Sequence, residues 1–414
     1  MITDLGFYSV NDKNFYTNKI AAILEAQKTN SEVKWYFFDD EFNKVDWLTE
    51  PTLSLDELYR LRAQQIRDSY DYVVIYASGG ADSTNVIRTF LKNNIHIDEV
   101  IAEIPESGLK NFKWDDTDFD PSNMMSETKY AQYPILHEVA TKSPNTKITV
   151  HDFFQDIVNM ESDEWIYQTE GDVISMSNYN YGRMDSFPHL KNLADQGKRI
   201  ASVWGTDKPI IIYTLEGDVY AGIADAPVYI SNYPFKIIYP NVNRVLFYWS
   251  HEFPDLMVKQ AHVVAKELQK PENKSIFYAA IDQGRRAQKV NQDNQNTDTA
   301  LKHIFETAAD KTVTYSSKTV YQRGVVPFIY SNTFDSNVFQ SNKFEQSQTF
   351  LPAFSNWITS LHGDSRIREM IISDFSLFYK NISTKYLNPS KTGFNPCIKR
   401  FRIGHMKEFA PNKK

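Results

Sequence analysis

An α/β fold with a doubly wound, mostly parallel sheet is predicted by three observations. Apolar runs at 72–77, 99–104, 147–151 and 200–204 are separated by stretches with helical spacing. Continuous apolar strands alternating with helices indicate a parallel sheet covered on both faces. The first run empties into a glycine turn, Ser78-Gly79-Gly80-Ala81-Asp82-Ser83, and a helical pattern begins at once. Finally, 414 residues with 42% hydrophobic and 14% aromatic content can fill two domains, or one enlarged core with an appended lobe.

The elements follow in order. Residues 15–26 carry apolar side chains at helical spacing, 33–38 read as a strand, and 53–66 read as a helix that Ser54 and Glu57 can cap reciprocally. These make a small α+β prelude over 1–69. The core, 70–250, takes the strands named above with helices at 83–93, 126–141 and 187–196. Runs at 210–214 and 219–223 flank Leu215-Glu216-Gly217-Asp218, a hairpin signal. Pro254 sits near the start of a helix reaching about 268. Residues 288–297 are poor in apolar side chains and read as a loop or connection. Residues 251–414 are expected to form a mainly helical lobe. No internal repeat is present.

Net charge is −7, so no global field attracts nucleic acid, although a local basic patch remains an option. One cysteine, Cys397, excludes an internal disulfide framework and a zinc site of several thiolates. The start lacks a basic segment followed by an apolar core, and no run approaches membrane-spanning length. No membrane partner and a reducing cytoplasm are therefore expected.

Each residue type in 78–83 has a physical task. Gly79 and Gly80 permit torsions and close approach that a Cβ blocks. Ser78 and Ser83 offer hydroxyl donors, and the amides of a helix amino end favour an anion. Asp82 does not attract bare phosphate, so it makes sense mainly as a ligand or outer partner of Mg²⁺. Val86, Ile87, Phe90 and Leu91 give the following helix one apolar face for docking. No Lys follows the glycines, which excludes the Gly-x-x-x-x-Gly-Lys-Ser/Thr loop of mononucleotide hydrolases.

Ser78, Gly79, Gly80, Asp82 and Ser83 match in full the Ser-Gly-Gly-x-Asp-Ser motif of the PP-loop, or N-type ATP pyrophosphatase, superfamily, which the chain resembles over about residues 70–249. The resemblance implies an adenine nucleotide alpha hydrolase-like fold, with ATP and Mg²⁺ as cofactors. ATP would be cleaved between its α and β phosphates and the substrate adenylated. Cofactor binding would fall to Ser78, Gly79, Gly80, Ala81, Asp82, Ser83, Ile104, Gly205 and Thr206. A second family element has its counterpart in Gly205-Thr206-Asp207-Lys208. There Gly205 admits a close backbone, Asp207 joins Asp82 as metal ligand, and Lys208 offsets charge on the leaving pyrophosphate. Ile104 marks the strand end where the family receives adenine.

A small prelude ahead of the loop makes asparagine-synthetase-like proteins the best whole-chain analogy. Position 2 is Ile, so the amino-terminal cysteine of a glutamine-hydrolysing domain is missing. The implied activity is an AMP-forming ligase that activates a carboxylate or amide-like oxygen for attack by an amine or ammonia. Two alternatives stay open. One is a phosphoadenosine-phosphosulfate-reductase-like or sulfurtransferase enzyme, although Cys397 lacks that family's Gly and His neighbours. The other is a non-catalytic nucleotide-binding or DNA-associated protein. A small-molecule or nucleotide-derived acceptor is expected. The carboxy-terminal third resembles PP-loop proteins of large tailed bacteriophages, which would place the chain in a host cytoplasm and favour nucleotide, nucleic-acid or amino-acid derivatives as acceptors.

Lesser signals complete the reading. Arg183, after Tyr181-Gly182, is a candidate substrate-binding residue because guanidinium grips planar anions bidentately. Residues 114–120, acidic and aromatic-flanked, read as a solvated surface loop, weighed against a loop that closes over the site or receives a cationic substrate group. His251 is a candidate base, weighed against an ordinary histidine without a role. Lys399, Arg400, Arg402, Lys407, Lys413 and Lys414 read as a solvated basic tail. No histidine spacing suggests zinc.

Overall fold

The computed structural model describes residues 6–16, 22, 25–26, 28–104, 132–152, 187–205, 208–214, 217–224, 240–270, 312–315 and 398–411. Its centre is an all-parallel sheet of five strands. These are β4 (Tyr72–Tyr76), β5 (Glu99–Glu103), β6 (Lys147–His151), β7 (Ile200–Trp204) and β10 (Val242–Leu246), arranged β10-β7-β4-β5-β6. Chain order thus runs outward from β4 to β5 and β6, then jumps to β7 on β4's other side. A strand-order reversal lies between β4 and β7, the position at which open parallel sheets generally take ligands, beyond the carboxyl ends of the strands.

Alternation along each strand sends successive side chains to opposite faces. Val73, Ile75, Val100, Ala102, Ala201 and Val203 pack in one apolar cluster with residues of α2 (Leu55–Ser69), α3 (Ala81–Lys92) and α4 (Tyr133–Lys142). Val74, Tyr76, Ile101, Ile200 and Trp204 join a second cluster. That cluster holds residues of α5 (Pro188–Asp195) and most of the apolar face of α6 (Pro254–Leu268). The sheet is therefore flanked by helices, as expected from its uninterrupted apolar strands.

Ser54 closes the amino end of α2 as the sequence implies. Its hydroxyl accepts from the Glu57 amide while the Glu57 carboxylate accepts from the Ser54 amide at 2.9 Å. Ser54→Ala should lower stability to urea by about 1 kcal/mol and leave the m-value unchanged. Helix α2 falls within the expected prelude, yet Leu58, Tyr59, Ala63 and Ile66 lie in the cluster beneath β4, so the sheet's covering layer begins before residue 70.

The amino-terminal strands β1 (Phe7–Val10), β2 (Asn14–Tyr16) and β3 (Val33–Tyr36) form an antiparallel sheet, β2-β1-β3, followed by the short helix α1 (Asp39–Phe42). Phe15, expected at the start of a helix, is instead paired with Ser9 across β1 and β2. The turn at Asn11 and Asp12, both at positive φ, reverses the chain there. Two Asn/Asp residues tolerant of that region place Phe15 on a strand, and of the helix expected over 15–26 the described residues 22 and 25–26 are helical, as are 28–29.

The hairpin is present as β8 (Ile210–Thr214) and β9 (Asp218–Ala224). Two further strands flank it, β11 (Thr312–Tyr315) on β8 and β12 (Ile398–His405) on β9, all antiparallel. Most of the lobe expected over 251–414 lies outside the described residues. The described part of that stretch holds α6 together with β11 and β12. Of the basic residues near the end, Lys399, Arg400 and Arg402 stand on β12, Lys407 is exposed, and Lys413 and Lys414 lie outside the described residues. Lys399 pairs with Asp39 at 2.8 Å and Arg402 with Asp218 at 2.9 Å. Opposite charge on neighbouring elements converts a basic run into a strand. No described helix is long and apolar enough to cross a membrane.

At the amino edge of the parallel sheet Glu99 is fully buried, and its donors come from several elements. Tyr72 Oη donates at 3.1 Å, Lys147 Nζ lies at 3.2 Å, and His189 Nε2 is 2.8 Å away. Thr149 Oγ1 also donates to it. The cluster ties α5 to the sheet at the rim opposite the glycine turn.

Candidate functional site

Strand β4 delivers the chain to the carboxyl rim, where Ala77 still donates its amide to Ile101 at 2.8 Å. Gly79 then takes φ 75°, a left-handed torsion that suits glycine, and Gly80 is extended at the N-cap of α3. Ser78 Oγ accepts from the Gly80 amide at 3.1 Å and lies 3.1 Å from Ser83 Oγ. Thr84 donates its amide to Gly80 O at 3.0 Å and its hydroxyl to Gly79 O at 3.3 Å. These bonds curl the turn back over the helix start. No side chain caps α3, so its amino end keeps the anion-favouring character of uncapped helix amides. Ser78 is exposed, whereas Ser83 is buried.

The rim after β7 meets this turn directly. A Cβ on Gly205 would lie 2.8 Å from the carbonyl carbon of Asp82 and from the Ser83 amide nitrogen. The second glycine element thus exists to let one backbone touch another. Lys208, three residues on, is buried and forms an ion pair with Asp82 Oδ1. Its ammonium also lies 4.2 Å from the centre of the Tyr248 ring, the range of a cation–π contact.

Tyr248 follows β10, so loops after three adjacent strands, β10, β7 and β4, converge on one spot. Its hydroxyl donates to Asp82 O at 2.8 Å and accepts from Asn85 Nδ2 at 2.8 Å. Burial holds the phenol well above its ordinary pKa, so Tyr248 stays a neutral donor. On the other face of the sheet, the rings of Tyr76 and Trp204 stack at 4.0 Å, bracing the ends of β4 and β7.

Gln132 closes the gap between β4 and β5. Buried at the start of α4, it donates Nε2 to Ala77 O at 2.7 Å and to Glu103 O at 3.3 Å. Gln132→Leu should strip both carbonyls of that donor and cost about 1–3 kcal/mol, read from denaturant melts.

Ser78, Gly79, Gly80, Asp82, Ser83, Gly205 and Lys208 are therefore brought together, with the Ala81 backbone opening α3. Ile104 stands at the end of β5 as expected, but its amide donates to His151 O at 2.9 Å. Its N–H is spent inside the sheet, so a base read at this position would have to use the carbonyl. Thr206, Asp207, Arg183, Cys397 and the acidic loop at 114–120 lie outside the described residues. His251 stacks on Phe38 at 3.7 Å, and Lys259 pairs with Glu50 at 2.8 Å.

Tyr248, Asn85 and Gln132 were not anticipated. Asn85 and Thr89, one turn apart among Val86, Ile87 and Phe90, carried the one available signal. A polar side chain on a buried helix face needs a partner elsewhere.

The donor set suits a phosphate chain with a hard cation. Uncapped amides at the start of α3, the Ser78 and Ser83 hydroxyls and the Lys208 ammonium lie in or against the turn. Mg²⁺ ordinarily needs only one or two carboxylates alongside phosphate oxygens. Asp82 is the carboxylate at the turn, and no group of three or more metal-ligating side chains occurs among the described residues. Comparison of the chain with protein-family models, curated proteins and solved structures found no match.

Proposed function

We propose that the chain is an AMP-forming, ATP pyrophosphatase-type ligase with a doubly wound core, in which residues 78–83 hold the β and γ phosphates of ATP. One observation carries this reading. A Ser-Gly-Gly-x-Asp-Ser turn with uncapped helix amides sits at the strand-order reversal of a parallel sheet, with a buried lysine against it. A helix start bonded by its own capping side chain would speak against it.

In this reading an oxygen of the acceptor attacks the α phosphorus, the bond from that phosphorus to the α–β bridging oxygen breaks, and pyrophosphate leaves. An amine or ammonia then displaces AMP from the activated acceptor. Asp82 would be the carboxylate that holds Mg²⁺, which would supply charge neutralisation on the phosphate chain. The chain's own residues do the rest. The turn amides and the Ser78 and Ser83 hydroxyls orient the leaving group, and Lys208 offsets the negative charge that grows on it. Lys208 is screened from water, which strengthens that interaction. Tyr248 is not the general base, since its phenol stays protonated.

The test is a product analysis. The protein is incubated with ATP, Mg²⁺ and a metabolite mixture, and mass spectrometry asks which compound triggers nucleotide turnover. Formation of AMP and pyrophosphate supports the ligase. Release of ADP contradicts it, and ATP binding without turnover assigns the chain to a nucleotide-binding role instead.

A further inference from the structure

We infer that Tyr248 is the positioning residue of the cradle, fixing the Asp82–Ser83 peptide and the Lys208 ammonium at one separation so that a single polyphosphate meets both. The inference rests on the phosphate-binding reading above and adds a residue that no motif contains.

Four contacts support it. The Tyr248 hydroxyl bonds the Asp82 carbonyl from one side, and the Gly205 backbone abuts the same peptide from another. The peptide whose nitrogen belongs to Ser83 is thus clamped between two strand-end loops. Asn85, three residues further along the same helix, donates to the Tyr248 hydroxyl and directs its proton toward Asp82 O. The face of the same ring receives the Lys208 ammonium. One rigid aromatic side chain, fully buried beside Tyr59 and Phe247, therefore touches both halves of the proposed anion site.

A donor array stabilises developing charge only if its members need not reorganise, so a group that locks two donors together acts on anion affinity without touching the anion. The hydroxyl and the ring do separable parts of this. Tyr248→Phe removes the bond to the peptide and keeps the surface under Lys208. Tyr248→Leu removes both.

The experiment is calorimetric titration of the full chain with pyrophosphate in the presence of Mg²⁺, with thermal melts run alongside. Tyr248→Phe should bind about tenfold more weakly, the loss of one well-placed hydrogen bond. Tyr248→Leu should lose about a further tenfold, the scale of a desolvated cation–π contact. In a Lys208→Met background the Leu and Phe variants should become equivalent, because the ring then holds no cation. A merely structural tyrosine would give additive losses in that cycle, and additivity overturns the inference. Wild-type affinity in Tyr248→Phe overturns it too while leaving the cradle standing. Should Tyr248→Leu not fold, the Phe variant decides. If the unaltered chain does not bind pyrophosphate, the phosphate-binding reading fails and takes this one with it.

Discussion

Replacing Gly205 by alanine is expected to reduce AMP formation by about a hundredfold, the cost of misplacing a reacting group by roughly 1 Å. The new Cβ would stand 2.8 Å from Asp82 C and Ser83 N and 2.9 Å from Asp82 O. All three neighbours are backbone atoms of the first turn of α3, so no side chain can swing aside. Either β7 or the turn must move, and the amides proposed to meet the phosphates move with it. Some stability should go as well, about 1–3 kcal/mol for an overpacked site. Gly197→Ala is the control. Gly197 has φ +79° and nothing within 4 Å of its virtual Cβ, so it meets conformational strain without a clash. That variant should melt earlier and turn over normally. Pyrophosphate release measured beside a thermal melt separates the two cases.

Lys208→Met should lower the rate of AMP formation by about 10²–10³ at saturating ATP, as expected when one preorganised donor is removed from a developing charge. Methionine keeps the length and apolar stem, so the fold should persist. Asp82 loses its cation, but its side chain is 24% exposed and water can replace part of the contact. The stability loss should therefore fall well below that of a fully buried broken pair. Lys208→Arg should not restore the rate, because a planar guanidinium does not fit a site shaped around a point charge on an aromatic ring. Single-turnover measurement of pyrophosphate release at saturating Mg·ATP reads all three proteins.

How much of this was legible in the sequence follows from contact range. Four of the five strands of the parallel sheet and the capping box of α2 rest on neighbours within one turn or one strand, so local pattern suffices, whereas β10 (Val242–Leu246) was not anticipated. The glycine turn is legible for the same reason, since 78–84 bond mainly to one another. Tyr248 reaches Asp82 across 166 residues and Asn85 across 163. No local rule connects residues at such distances, and only the sheet order brings them together. Gln132 joins Ala77 across 55 residues, and its role depends on β4 and β5 being neighbours. Strand β12 was hidden for a different reason. Its Lys399, Arg400 and Arg402 suggest solvent until Asp39 and Asp218 are placed opposite two of them. At Phe15, two left-handed residues upstream put the first residues of an expected helix on a strand, while the described residues 22 and 25–26 further along the same apolar period are helical.

The central claim is that residues 78–83 grip the phosphate tail of a nucleotide. It is tested most directly by a crystal structure of the chain with Mg²⁺ and α,β-methylene-ATP, whose α–β linkage resists cleavage. The account predicts β and γ phosphate oxygens within hydrogen-bonding distance of the Ser78 and Ser83 hydroxyls and the α3 amides, with Lys208 turned toward them. A nucleotide bound at the opposite rim of the sheet, near Glu99, or an empty turn at saturating ligand, would contradict it.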